Sequence, residues 1–278
     1  KLPPPSPAPA PLLQVRNVTR AYQLPRRGIF SAPQLFRAVD DVSFTLHAGE
    51  RLGLVGESGC GKSTLTRAIL GLEPVQAGTI TLNGAPVWAG SRPNRVVRRN
   101  IQVVFQDPYG SFNPRHKVAR LITEPYHLLD TPLSARDRDR AGSEALEAVG
   151  LSPQDGDKYP HEFSGGQRQR LAIARALILR PQLIVFDEAV SALDVSVRAQ
   201  ILDLVADLST RYELSYLFIS HDLSVVRSIT DRVMVMRAGE IVEHGPTDQV
   251  LVAPRHPYTQ SLLAAAPRLP PLSAHLAP

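Results

Sequence analysis

The stretch from Arg51 to Gly71 constrains this chain more than any other. A short apolar strand, Arg51 to Val55, runs into Gly56-Glu57-Ser58-Gly59-Cys60-Gly61-Lys62-Ser63, and a helix from Lys62 to Leu70 follows until Gly71 ends it. The string between strand and helix fills the pattern G-x-x-x-x-G-K-[ST]. Its glycines let the backbone wrap so that N–H groups point at phosphate oxygens, and the helix N-terminus adds a favourable dipole. Lys62 can reach the β- and γ-phosphates, and the Ser63 hydroxyl can coordinate Mg²⁺. The bland alternative is a glycine-rich turn before a helix; a complete pattern in this context argues against it. The residues expected to hold nucleotide are therefore Gly56, Glu57, Ser58, Gly59, Cys60, Gly61, Lys62, Ser63 and the adjoining Thr64.

A second signal is Leu183-Ile184-Val185-Phe186-Asp187-Glu188. Four apolar residues make a buried strand, and two carboxylates stand at its C-terminal end, where ligands bind in open α/β sheets. Asp187 is expected to hold Mg²⁺ through its water shell. Glu188 is placed to polarise the attacking water, a general-base role worth about 10²–10⁴ in rate. Acidic pairs that end strands are often only solvated caps, but a phosphate loop in the same chain favours function. The two motifs together imply a phosphate-loop NTPase and no more.

The remaining pattern alternates strands with helices. Leu12 to Val18 reads as a strand and Arg26 to Phe36 as a loop; a second strand alternates Val42, Phe44 and Leu46 with Ser43, Thr45 and His47. Thr79 to Leu82, Ile101 to Phe105 and Ser215 to Ile219 read as further strands. Val233 to Met236 and Glu240 to Val242, split by Arg237-Ala238-Gly239, read as a closing hairpin. Asn113 to about Gly150 looks helical and charged, with Ala135 to Val149 its clearest amphipathic part. Further helices follow Gly165-Gly166 and span Val195 to Leu208. Such alternation implies a largely parallel sheet with helices on both faces. Residues 113 to 168 form a helical insertion, and the proline-dense residues 1 to 11 form a tail with nothing to bury.

Composition narrows the setting. Hydrophobic residues make up 43% of the 278, enough for a sizeable core. The net charge of +5 is spread along the chain rather than gathered in a block, so a solvated basic surface fits better than a nucleic-acid partner. Cys60 is the single cysteine, which excludes an internal disulfide or cysteine cluster and fits a reducing compartment. None of the eight histidines shows zinc-ligand spacing, so the nucleotide's Mg²⁺ is the expected metal. No uncharged apolar run approaches the roughly 18 residues a membrane span needs; the longest, Leu171 to Leu179, is interrupted by Arg175. The first residues lack the apolar core of a signal peptide. A membrane role is thus expected to come through partners.

Phe163-Ser164-Gly165-Gly166-Gln167-Arg168-Gln169-Arg170 resembles the signature of ABC ATPases, with Phe163 where the family usually has leucine. Ser164, Gly165, Gly166 and Gln167 at a helix start repeat the anion-binding logic, and in the family this loop completes the nucleotide site of the opposite subunit. Gln106, after Val103-Val104-Phe105, resembles the Q-loop glutamine that touches Mg²⁺ and the attacking water. Ser191-Ala192-Leu193-Asp194 resembles the D-loop, and His221 the switch histidine that contacts the γ-phosphate. The resemblance implies the ABC-type fold: a mainly parallel α/β sheet, an antiparallel β subdomain and the helical insertion. It also implies an aromatic residue stacked on adenine, for which Tyr22 is the candidate and Phe30 or Phe36 the alternatives.

Longer strings look like the peptide/nickel importer branch, the oligopeptide and dipeptide permease ATPases. They are 105–115, Tyr159-Pro160-His161-Glu162, Asp194 to Gln200, and His256-Pro257-Tyr258-Thr259-Gln260-Ser261-Leu262-Leu263. The implied organisation is an ABC ATPase domain at 12–245 and a C-terminal extension at 246–278. Two departures stand out. Ala189-Val190 replaces the commoner Pro-Thr, and this chain lacks the cysteines of an iron–sulfur segment. The branch implies ATP and Mg²⁺ as cofactors, two membrane permeases, and a second ATPase subunit that is a different chain or a copy of this one. It also implies an extracytoplasmic substrate-binding protein and a place on the cytoplasmic face of the inner membrane. Peptide is the expected cargo before nickel or a metal chelate. The rival, a soluble ABC ATPase acting on nucleic acid or ribosomes, usually shows two fused ATPase units or a long coiled coil, and neither is here. An idle nucleotide-binding scaffold is disfavoured by the intact Glu188 and His221.

Overall fold

A computed structural model describes residues 10–24, 34–107 and 110–265. Residues 1–9 of the expected tail, 26–33 of the expected loop with the alternative Phe30, Pro108-Tyr109 of the importer-like string and the end of the C-terminal extension lie outside the described residues.

In chain order the elements are β1 (Leu13–Gln23), β2 (Leu35–Leu46), β3 (Arg51–Val55), α1 (Lys62–Ile69) and β4 (Ala77–Leu82). Three two-residue strands follow, β5 (Ala85–Pro86), β6 (Trp88–Ala89) and β7 (Arg92–Pro93), then α2 (Arg95–Asn100) and β8 (Ile101–Phe105). The helical part holds α3 (Val118–Ile122), α4 (Ala135–Ala148) and α5 (Gly165–Leu177). The chain continues with β9 (Leu183–Asp187), α6 (Val195–Tyr212), β10 (Ser215–Ile219), α7 (Leu223–Ile229), β11 (Arg232–Arg237), β12 (Glu240–Pro246), α8 (Thr247–Val252) and α9 (Pro257–Ala265).

The main sheet has the order β12-β11-β3-β10-β9-β8, parallel except for β12. Its inner strands β3, β10 and β9 are apolar at nearly every position because both faces are covered. Ile184, Phe186, Tyr216, Phe218, Val233 and Val235 face one core with the helices; Leu183, Val185, Leu217, Ile219, Met234 and Met236 face the other. That period of two sorts each strand between two cores. The second core lies between the main sheet and an antiparallel sheet of order β2-β1-β4-β5, and the buried Leu65, Ala68 and Ile69 of α1 fill it. Leu65 and Ile69 contribute roughly 1.5–3 kcal/mol each when fully buried, so α1 and the loop before it are held between the two sheets.

The structure departs from the sequence expectation in four places. β1 runs on to Gln23, past the expected end at Val18, and β2 starts at Leu35, inside the loop expected to reach Phe36, with the two strands paired through Tyr22↔Phe36. Leu35, Phe36 and Arg37 are exposed there, so alternation of burial gives no signal. The helical stretch from Asn113 is broken after α3 by a 3₁₀ turn, Glu124–Leu128, that carries Pro125. Helix α7, capped by Asp222, was not read from the sequence, being only 7 residues long. The small strands β5–β7 with α2, and the helices α8 and α9, were likewise not anticipated as elements.

Candidate functional site

Four parallel strands end side by side, and each C-terminal end delivers one motif. β3 leads into the phosphate loop, β10 into Ser220-His221, β9 into Asp187-Glu188 and β8 into Gln106. Pairing of Leu54 with Ile219, Ile219 with Asp187, and Asp187 with Phe105 brings these ends level. Hydrogen-bond register thus gathers residues from 56 to 221 at one edge, as expected of an open α/β sheet.

Gly61 caps α1 at φ 113°, ψ −3°, a left-handed conformation that disfavours a side chain. A Cβ there would also lie 2.0 Å from the Ala38 carbonyl oxygen on β2. The loop's back therefore rests directly on the antiparallel sheet. The Lys62 ammonium is buried, and it donates to the Gly56 carbonyl at 2.7 Å and the Glu57 carbonyl at 3.0 Å. Glu57, Ser58, Gly59 and Ser63 are exposed, Thr64 is half-buried, and Cys60 is turned inward with its thiol pushed up by burial. Cys60 thus belongs to the loop through its backbone.

Asp187 is half-buried. Burial, and then the neighbouring Glu188, raise its carboxyl above the ordinary range, while Lys62 and Arg67 oppose the shift. Glu188 adopts φ 54°, uncommon for a residue with a side chain. That turn is held because its N–H donates to the Ile219 carbonyl at 3.0 Å, and its carbonyl accepts from Ser191 N–H at 3.1 Å and Ser191 Oγ at 2.8 Å. His221 Nδ1 lies 2.7 Å from Glu188 Oε2. An ionised carboxylate only accepts, so Nδ1 carries the proton and Nε2 is directed elsewhere. Gln106 is exposed one residue past the Phe105–Asp187 pair. Ala189 and Val190, which replace the usual Pro-Thr, are both buried and leave Glu188 in place.

The signature segment and Asp194 stand at the starts of two helices. Ser164 caps α5: its Oγ accepts from Gln167 N–H at 3.3 Å, while Gln167 Oε1 accepts from Ser164 N–H at 2.9 Å. Ser164, Gly165 and Gln167 are exposed and bonded to one another rather than to the chain's own phosphate loop. Phe163, where leucine is usual, is buried in the helix-side core. A Cβ on Gly166 would sit 2.4 Å from Val197 Cγ1, so close packing of α5 on α6 also requires this glycine. Asp194 caps α6 by accepting from Val197 N–H at 2.9 Å. That bond, together with one from the Ser196 hydroxyl at 2.9 Å, holds its carboxyl below the usual range.

Tyr22 donates its hydroxyl to Glu73 at 2.6 Å, and the Arg20 guanidinium lies 4.8 Å from its ring centre. The Tyr22 bond, together with Arg20 and Arg67, keeps the Glu73 carboxyl low against the effect of burial. Phe36, opposite Tyr22 on β2, is 48% exposed.

Sequence reasoning assigned no role to two groups that touch the loop. Gly239 N–H donates to the Cys60 carbonyl at 2.8 Å, and Tyr258 Oη accepts from Glu57 N–H at 3.2 Å. Both were visible as parts of a hairpin turn and of the His256-Pro257-Tyr258-Thr259 string, but neither string says what it packs against. Among the described residues no helix is long and apolar enough to cross a membrane. Nor does any group of three or more His, Cys, Asp or Glu side chains form a metal cage among them.

Residues 39–191 match the family model described as ABC transporter, and residues 242–277 match the oligopeptide/dipeptide transporter C-terminal region. The chain is 50% identical over 262 residues to the dipeptide transport ATP-binding protein DppF of Escherichia coli K12, covering 94% of this chain and 78% of that protein. It is 45% identical over 258 residues to the oligopeptide transport ATP-binding protein OppF of Bacillus subtilis 168, covering 92% and 82%. Among solved structures it superposes on the ATP-binding cassette MJ0796, in a dimeric post-hydrolysis state bound to ADP and Pi, with TM-score 0.71 and 24% identity over 84% of this chain and 98% of that one. It also superposes on cbiO1 of Clostridium perfringens, with TM-score 0.74 and 23% identity over 87% and 91% of the two chains. At those identities the two structures are alike in fold.

Proposed function

The chain belongs to the ABC transporter family of ATP-binding proteins, and on that premise we propose that it is the ATP-hydrolysing subunit that powers uptake of peptides through membrane permeases. The observation that carries the hydrolytic part is the Glu188–His221 pair at 2.7 Å, on the strand edge that also bears Lys62 and Asp187. What supports peptide as cargo is the match of residues 242–277 to the oligopeptide/dipeptide C-terminal region and the likeness to dipeptide and oligopeptide transport proteins. Both of these relatives are named as transport proteins, which lends the nucleic-acid alternative no support.

In this reading the loop residues 56–64 hold the ATP phosphates, with Lys62 along the β- and γ-phosphates. The oxygen donors present, the Ser63 hydroxyl, the Gln106 amide and the Asp187 carboxylate, suit a hard cation such as Mg²⁺. When bound, Mg²⁺ would offset negative charge on the phosphates. Glu188, held by its own backbone bonds, accepts the proton of the attacking water as that water attacks the γ-phosphorus and the bond to the β,γ-bridging oxygen breaks, releasing ADP and phosphate. His221 keeps the Glu188 carboxylate oriented through Nδ1 and presents Nε2 towards the phosphate. Tyr22, or in its place Phe30 or Phe36, stacks on the adenine.

The exposed helix start Ser164-Gly165-Gly166-Gln167 and the Asp194 turn are assigned to the nucleotide of a second subunit, which makes the working unit a pair. We further read residues 12–245 as the ATPase domain, 113–168 as its helical subdomain facing the permeases, and 246–278 as the extension. The second ATPase subunit is a related but different chain or a copy of this one, and an extracytoplasmic binding protein delivers the peptide. The place of work is the cytoplasmic membrane face. The test is uptake of a labelled dipeptide by the host after deletion of this chain. Uptake should disappear, return with the intact chain, and stay absent with Glu188→Gln. Unchanged uptake in the deletion strain would overturn the assignment of cargo.

A further inference from the structure

We propose that Tyr258, on the C-terminal helix α9, is a positioning residue of the phosphate loop, through which the segment after β12 sets the grip on nucleotide phosphates. The inference rests on the reading that residues 56–63 hold those phosphates.

The argument starts from one peptide unit. The Gly56 carbonyl and the Glu57 N–H are its two ends and point in opposite directions, because the unit is planar and trans. The N–H donates to Tyr258 Oη at 3.2 Å. The carbonyl accepts from Lys62 Nζ at 2.7 Å. A rotation of this plane that breaks one bond therefore misaligns the other. Tyr258 fixes the orientation of the nearer of the two carbonyls that hold the phosphate-loop lysine, from 201 residues away in the chain.

Tyr258 is itself fixed. Its side chain is 8% exposed and packs in the helix-side core, with the Arg237 guanidinium 5.0 Å above the ring. The turn into α9 is tied down by Glu243, whose carboxylate accepts from the N–H groups of Arg255 at 2.8 Å and His256 at 3.1 Å. His256 Nδ1 in turn accepts from Tyr258 N–H at 3.1 Å. Arg237 belongs to the β11–β12 hairpin, whose Gly239 N–H donates to the Cys60 carbonyl at 2.8 Å. The turn from Glu57 to Cys60 is thus pinned at its start by α9 and at its end by the hairpin, and Arg237 joins the two supports.

The experiment compares the full chain with Tyr258→Phe, which keeps the ring and deletes only the hydroxyl. The expected result is a KM for ATP raised about 2- to 10-fold, the range of one net hydrogen bond, with kcat within about twofold. Without nucleotide the melting temperature should fall by no more than about 6 °C, because one hydrogen bond is lost while the ring packing is untouched. An unchanged KM overturns the proposal, and so does a lowered melting temperature with no change in KM. Lys62→Ala serves as reference: if it binds ATP like the unaltered chain, the reading of the loop fails and the inference falls with it. A direct check needs no variant. The Glu57 amide should exchange its hydrogen more slowly than an open amide, and exchange at the open rate overturns the proposal.

Discussion

Replacing Gly166 by alanine tests whether the signature glycine is dictated by packing inside the chain. The new Cβ would lie 2.4 Å from Val197 Cγ1, about 1 Å inside the distance at which carbon atoms attract. Val197 cannot readily swing away. Its side chain is β-branched and stiff on a helix, and its N–H is held by the Asp194 cap at 2.9 Å. Forcing α5 and α6 apart costs about 1–3 kcal/mol, offset by less than about 1 kcal/mol from the better helix propensity of alanine. A net loss of about 1–2 kcal/mol corresponds to a drop of roughly 2–8 °C in melting temperature for a domain of this size. The assay is thermal unfolding followed by circular dichroism for the unaltered chain, Gly166→Ala, Val197→Ala and the double variant. Val197→Ala removes the clashing methyl, so the double variant should melt close to Val197→Ala alone. That gives a coupling of about 1–2 kcal/mol. Strictly additive losses, or a Gly166→Ala chain that melts like the unaltered one, would refute the steric argument. ATPase rates on the same four proteins separate packing from ligand contact. If Gly166 also approaches a phosphate, the double variant regains its melting temperature without regaining activity.

Glu188→Gln should retain ATP binding by calorimetry while turnover falls by about 10²–10⁴; near-normal turnover would remove Glu188 from the role of base. Lys62→Ala should lose measurable ATP affinity in the same calorimetric assay, and unchanged binding would sink the reading of residues 56–63. Asp187→Asn should abolish hydrolysis yet raise the melting temperature at neutral pH. Burial and Glu188 lift the Asp187 carboxyl above its unfolded value, so its contribution to stability is present at low pH and lost as pH rises through the folded value. The gain from asparagine should therefore shrink as the buffer is acidified towards the ordinary carboxylate range, and a gain constant with pH would contradict it.

The chemistry of the nucleotide edge was legible in the sequence because it resides in short strings with local consequences. Gly56 to Ser63 encodes a backbone path, and the apolar run before Asp187 encodes a strand buried on both faces. Strand-ending motifs in parallel order already imply one shared edge. What the sequence could not state is which distant backbone each string meets. Gly61 must be glycine partly because Ala38 lies behind it, and Gly166 partly because Val197 does. Ser164 and Asp194, read as ligands of nucleotide, also serve as caps of α5 and α6. The Tyr258 hydroxyl meets Glu57 only after two sheets and the C-terminal helices have packed. Local strings fix dihedral preference and ligand type. Contacts between residues far apart in the chain depend on sheet register and on the distance between packed layers, and only the tertiary structure sets those.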